Sequence, residues 1–263
     1  MHATARVTAI VNQKGGVGKT TTAVNLGASL ALMGRRVLIV DIDPQGNTTT
    51  GFGVDKRGIE RDVYAVLLRD AAVADAVRPT EVENLAILPA TLNLAGAEIE
   101  LVSAMQRENR LKTALVAVLD RYDEILIDCP PSLGLLTINA LTAATEVIIP
   151  VQAEYYALEG LSQLVAIVRR IKEGLNPDLI IRGVLITMFD GRTKLAGEVL
   201  EEVHRYFPDR VFQTQIPRNI RLSEAPSYGK PAILFDVKSR GAQAYLSLAK
   251  ELVGPLAARG SAQ

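Results

Sequence analysis

The sequence predicts an α/β domain with a mostly parallel, twisted sheet and helices on both faces. Three observations predict it. Short runs rich in β-branched residues alternate with longer stretches of helical period, the reading order of such a domain. Several runs are apolar at successive positions, as central strands covered on both faces are. Three polar motifs fall at the carboxyl ends of strand candidates, where open parallel sheets form their ligand sites.

The elements follow in order. "RVTAIVN" (6–12) is the first strand candidate, and the glycine-rich "KGGVGKTTT" turns from it into a helix over 19–34. "RVLIVDI" (36–42) is the second strand; "DPQGNTTTGFGVDKRG" (43–58) is the least regular segment of the chain. "NLAILPA" (84–90) precedes a long helical stretch over 92–120, and "EILIDCP" (124–130) precedes a helix over 133–144. "EVIIPVQ" (146–152) leads to a helix over 157–174, stopped by "GLNPD". "LIIRGVLITM" (179–188), a helix over 193–206, "VFQTQIP" (211–217) as a further strand and a helix over 239–253 complete the series.

A chain of 263 residues with 48% hydrophobic content can bury a full core, and one domain over 1–263 with short tails at about 1–5 and 255–263 is expected. The lone Cys129 can form no disulfide within the chain, and "MHATARV" lacks the apolar stretch of a signal sequence. No apolar run reaches the ~18 to 20 residues of a membrane span. A cytoplasmic location follows as the expectation. Net charge is zero but unevenly placed: residues 1–181 hold 17 Lys+Arg against 21 Asp+Glu, and residues 182–259 hold 12 against 8. The last third can therefore present a basic face.

The loop "NQKGGVGKTTT" nearly matches the phosphate-binding pattern G-x-x-x-x-G-K-[ST], with Gln13 where the first glycine should stand and an extra lysine at Lys14. Gly15, Gly16, Val17 and Gly18 let backbone N–H groups converge on phosphate oxygens, and the new helix adds its positive end. Lys19 neutralises the β- and γ-phosphates, Thr20 ligates Mg²⁺ through its hydroxyl, and Thr21 adds a hydrogen bond to phosphate. Asp128, at the end of an apolar strand, is placed to hold Mg²⁺ through a coordinated water. A strand-end aspartate also commonly caps the following loop. In "DIDPQGN", strand alternation puts Asp41 and Asp43 on one side. Asp43 is the candidate for orienting the attacking water, Asp41 for ordering the outer shell of the metal, and the same residues can simply form a turn.

"KGGVGKTTT", "DIDPQGN" and "LIDCPPSLG" together resemble the deviant Walker A ATPases, a branch of the P-loop NTPase fold. "TMFDGRT" and "IPRNIRLSEAPSYGKP" narrow the resemblance to the ParA/Soj partitioning ATPases, over about residues 6–253. The resemblance implies a weak ATPase, stimulated by partner and DNA, with ATP and Mg²⁺ as its ligands. It implies a homodimer formed when ATP is bound, in which Lys14 reaches the partner's nucleotide and joins Lys19 and Asp43 as a catalytic group. Gly15 would lie where the two loops approach. Pro217 and Asn219 would contact adenine and ribose. Arg192, Arg218 and Arg221 would bind double-stranded DNA without sequence preference, placing the protein on the nucleoid with a ParB-like centromere-binding partner.

Rival readings share parts of this pattern. A MinD-like membrane cycler needs a basic amphipathic C-terminal helix, whereas "ELVGPLAARGSAQ" is interrupted by Pro255, so no stable membrane association is expected. An iron–sulfur reductase needs paired cysteines, and a repressor needs a helix-turn-helix upstream of residue 6. A related ATPase that positions another cargo would have the same site.

Overall fold

The computed structural model describes residues 4–154 and 157–254. Within them, β1 (Arg6–Ile10), β2 (Val37–Asp41), β3 (Arg78–Pro79), β4 (Leu85–Leu88), β5 (Glu124–Asp128), β6 (Glu146–Gln152) and β7 (Ile180–Thr187) form one sheet in the order β3-β4-β2-β5-β1-β6-β7. All neighbours run parallel except β3 and β4. The expected α/β architecture is present.

Strand alternation divides the core between the two faces. Leu38 and Val40 of β2 pack with Leu136, Ala140, Leu164 and Val168 on one face, whereas Val37 and Ile39 pack with Leu26, Leu30, Tyr245 and Leu248 on the other. Burying each of the Val, Leu and Ile side chains among them contributes about 1.5–3 kcal/mol. The first helix, α1 (Lys19–Leu32), is buried along most of its length, so it lacks the polar stripe of a surface helix. Gly27 allows it to lie against β2, because a Cβ there would come within 2.5 Å of Ile39 Cδ1. The C-terminal helix Arg240–Val253 docks on α1, where the Tyr245 and Thr22 hydroxyls hydrogen-bond at 3.1 Å in the interior.

Three expectations need correction. Segment 211–217 forms no strand; it makes isolated bridges at Val211 and Pro217, while the Gln213 and Thr214 amides donate to Glu251 instead of to a neighbouring strand. Residues 92–120 do not form one helix. Gln106 adopts φ 51°, and the Asn139 side chain inserts at the break, accepting from Leu111 N and donating to Arg107 O. Ala5, assigned to the N-terminal tail, is already buried and donates its N–H to Leu119 O; residues 1–3 and 255–263 lie outside the described residues.

Candidate active site

The loop between β1 and α1 is held from three sides. Asn12 donates through Nδ2 to Pro150 O and accepts from Lys14 N, while Thr187 Oγ1 at the end of β7 donates to Val17 O at 2.8 Å. Gly16 and Gly18 have φ of 76° and 89°, left-handed values that favour glycine and curve the loop into the start of α1. Val17 is buried beneath it. Lys19 Nζ closes the loop on itself by donating to Lys14 O at 3.1 Å. Burial lowers the Lys19 pKa, an effect opposed by the charges of Asp128, Cys129 and Asp43. A buried ammonium with one carbonyl partner beside a helix N-terminus is suited to a polyanion.

Lys14 behaves differently. Its side chain leaves the loop and pairs with Glu154 at 2.8 Å, with both side chains nearly half exposed. A Cβ added at Gly15 would meet nothing within 4 Å, so the outer edge of the loop is open.

Asp41 and Asp128 sit side by side at the carboxyl ends of β2 and β5, paired in register. The Asp128 Oδ2 atom accepts from Thr20 Oγ1 at 2.8 Å and from Thr48 Oγ1 at 2.7 Å. Its Oδ1 atom is buried and has no hydrogen-bond partner among the described residues. Burial raises the Asp128 pKa, against the two hydroxyl donors and Lys19, with Asp43 adding to the rise. Burial and then the charge of Asp128 raise that of Asp41. Asp41 is committed within the chain: Oδ2 accepts from Thr49 N and Oγ1, and Oδ1 from Asp43 N. Its geometry is that of an anchor for the short helix α2 (Asn47–Gly51).

Asp43 is 8% exposed, and its Oδ1 accepts from Gln45 N. Lys56 Nζ steadies the following turn through Gln45 O at 2.8 Å. Among the described residues no group of three or more His, Cys, Asp or Glu side chains converges as a metal site. A cation here would take most ligands from phosphate and water, as Mg²⁺ typically does. Thr20 Oγ1 and the bare Asp128 Oδ1 fit that role. Cys129 is buried, and burial raises its thiol pKa well above the ordinary value, consistent with packing.

The remaining candidates gather elsewhere. Pro217, Arg192, Arg218 and the unforeseen Arg240 line a polar cleft of about 810 Å³ with Phe189 and Asp190. Asn219 caps the helix Ile220–Glu224 by accepting from Arg221 N. Arg192 is engaged by Asp190 through two nitrogens, and this pairing lowers the Asp190 pKa to about 2. Arg221 is engaged by Glu224 and Asp236. Among the described residues Arg218 makes no ion pair, although its charge helps to lower the Asp190 pKa. Sequence reasoning missed Thr48, Thr49, Glu154 and Arg240; the "NTTT" run after Gly46 was the available signal for the first two.

Comparison with known proteins places this geometry. Residues 5–181 match a family model described as an AAA domain. The chain is 64% identical over 247 residues to the Sporulation initiation inhibitor protein Soj of Bacillus subtilis (strain 168), covering 94% of this chain and 98% of the relative. It belongs to the ParA/Soj family of partitioning ATPases. This ParA/Soj member is also 55% identical over 248 residues to the Chromosome partitioning protein ParA of Myxococcus xanthus (strain DK1622), covering 94% of this chain and 88% of that one. A crystal structure of Cobyrinic Acid a,c-diamide synthase from Mycobacterium smegmatis, with bound ATP analog and magnesium, matches with TM-score 0.84 and 41% identity, covering 95% and 94% of the two chains. No helix among the described residues is long and apolar enough to cross a membrane.

Proposed function

We propose that this chain acts as a single-domain switch that binds ATP with Mg²⁺, dimerises, holds double-stranded DNA without sequence preference, and resets by slow hydrolysis. A ParB-like centromere-binding partner, together with DNA, accelerates that hydrolysis. The cycle serves chromosome or plasmid segregation from the cytoplasmic, nucleoid-associated pool.

The observation that carries this reading is the division of labour between two lysines. Lys19 is buried in its own phosphate loop, whereas Lys14 projects from the loop's open edge into an exposed pair with Glu154. An exposed pair of this kind contributes at most about 1 kcal/mol, so Lys14 is readily given up to a stronger anion. A polyphosphate bound to a facing copy is such an anion, and Gly15 leaves room for the approach. Nucleotide then becomes a condition for pairing, since without it the two lysine-bearing loops repel.

Within each subunit the Lys19 ammonium and the loop amides bind the phosphates. Thr20, and Asp128 through a water, would hold Mg²⁺, which when bound would neutralise phosphate charge. The Asp43 carboxylate orients the attacking water by accepting its hydrogen bond, and its position in a turn suits a slow, partner-dependent step. Pro217 and Asn219 contact the nucleoside. Arg192, Arg218 and Arg221 bind DNA phosphates, supported by the excess of basic residues in the last third of the chain.

Sedimentation velocity tests the switch. Wild-type protein should sediment as a dimer with ATP and Mg²⁺ and as a monomer with ADP or no nucleotide. Sedimentation that ignores nucleotide would refute it.

A further inference from the structure

We propose that Thr48 is a positioning residue that ties the placement of Asp43 to the state of Asp128. This inference rests on the reading of Asp43 as the water-orienting group.

The helix α2 has five residues and begins four positions after Asp43. A single helical turn does not hold itself in water, because nucleation costs more than its few hydrogen bonds return. Two fully buried hydroxyls fix it instead. Thr49 Oγ1 donates to Asp41 Oδ2 and accepts from Ala90 N at 3.0 Å, while Thr49 N also donates to Asp41. Thr48 Oγ1 donates to Asp128 Oδ2.

These anchors differ in what else they touch. Although Asp41 feels the charge of the neighbouring Asp128, among the described residues it is hydrogen-bonded only by groups of its own loop and helix. Asp128 is not. Its Oδ2 is shared by Thr48 and Thr20, and its Oδ1 is buried and bare. A cation and its water arriving at Thr20 and Asp128 Oδ1 must therefore act on the carboxylate from which Thr48 hangs. Of the α2 side chains, Thr48 alone among the described hydrogen bonds joins the segment carrying Asp43 to the oxygen shared with the phosphate loop. A threonine present only for packing would tolerate valine, which keeps the branched shape and loses only the hydroxyl.

The test uses the full chain with Thr48→Val, Thr48→Ala as a second variant lacking the hydroxyl, and Thr48→Ser as the variant retaining it. Steady-state ATPase with DNA should show kcat reduced about tenfold or more in whichever hydroxyl-free variant folds, the size of one lost hydrogen bond to a charged group, with KM within about twofold. Amide hydrogen exchange over residues 44–50, measured with ADP in Mg²⁺ and with ADP in EDTA, should show Mg²⁺-dependent protection in the wild type. That protection should vanish in the hydroxyl-free variants, and Thr48→Ser should restore both readouts. Wild-type kcat in Thr48→Val, or Mg²⁺-dependent protection that survives it, overturns the inference. Asp43→Ala separates the two failures: if it abolishes turnover while Thr48→Val does not, only the Thr48 assignment falls, and if it turns over normally the Asp43 reading falls first.

Discussion

Replacing Lys14 with alanine separates stability from assembly. The side chain lost makes one ion pair, to Glu154 at 2.8 Å, with the two side chains 42% and 46% exposed. Such a pair contributes about 0.2–1 kcal/mol, which for a chain of this size lowers the melting temperature by at most ~4 °C. The loop itself survives, because Lys14 holds it through main-chain atoms: N donates to Asn12 Oδ1, and O accepts from Lys19 Nζ. Nucleotide affinity in the monomer should therefore change by no more than a few-fold. The dimer is affected twice, once in each subunit, by symmetry. Truncating one side of a buried charge-assisted contact costs about 2–5 kcal/mol, so the pair of losses should weaken ATP-dependent dimerisation by roughly a thousandfold or more. Sedimentation velocity over a protein concentration series, with ATP and with Asp43→Ala in both samples to prevent turnover, measures this directly. A dimerisation constant unchanged by Lys14→Ala would refute the cross-interface role.

The other predictions use the remaining parts of the site. Asp43→Ala should bind ATP, form lasting dimers and hydrolyse little; wild-type turnover of ATP would end its catalytic assignment. Arg218→Glu and Arg221→Glu should each keep the ATP-dependent dimer and lose DNA binding in a filter or anisotropy assay. Each lost phosphate contact should also reduce the slope of log affinity against log salt by about one. Arg218 is the sharper test, because Arg221 must first release Glu224 and Asp236. The nucleotide-free protein should become more stable as pH falls from about 7 to about 5. The folded-state pKa values of Asp41 and Asp128 are raised by burial, so their contribution is complete below the unfolded value of about 4 and is lost as pH rises through the folded values. Asp190, lowered to about 2, is ionised in both states across that window and cannot cancel the trend. Thermal melts of wild type and Asp128→Asn should show a flatter pH dependence in the variant; equal slopes would contradict the assignment.

The parts legible in the sequence are those whose chemistry is local. A strand, a glycine-rich turn and a lysine on the next helix are contiguous, so Gly16, Gly18, Lys19 and Thr20 could be read together, and an apolar strand ending in Asp128 is nearly as compact a signal. Segment 211–217 was misleading because its apolar alternation is genuine and Phe212 N and Ile216 N do donate to β7, yet Glu251, 37 and 38 residues downstream, captures the Thr214 and Gln213 amides between them and interrupts the ladder. The break at Gln106 likewise depends on Asn139 of another helix. Thr48 and Thr49 were hidden for the same reason: a threonine run in an irregular segment acquires meaning only when the fold brings Asp41 and Asp128 beneath it. Arg192 and Arg221 were visible as arginines, but their carboxylate partners were not visible as partners.

Bound nucleotide, on this reading, decides whether the chain holds DNA. The most direct test measures binding of double-stranded DNA of two unrelated sequences with ATP, with ADP and with no nucleotide across a salt series. Tight binding with ATP alone, equal for both sequences and falling steeply with salt, is the expected result. Binding that is independent of nucleotide, or association with anionic vesicles in place of DNA, would contradict it.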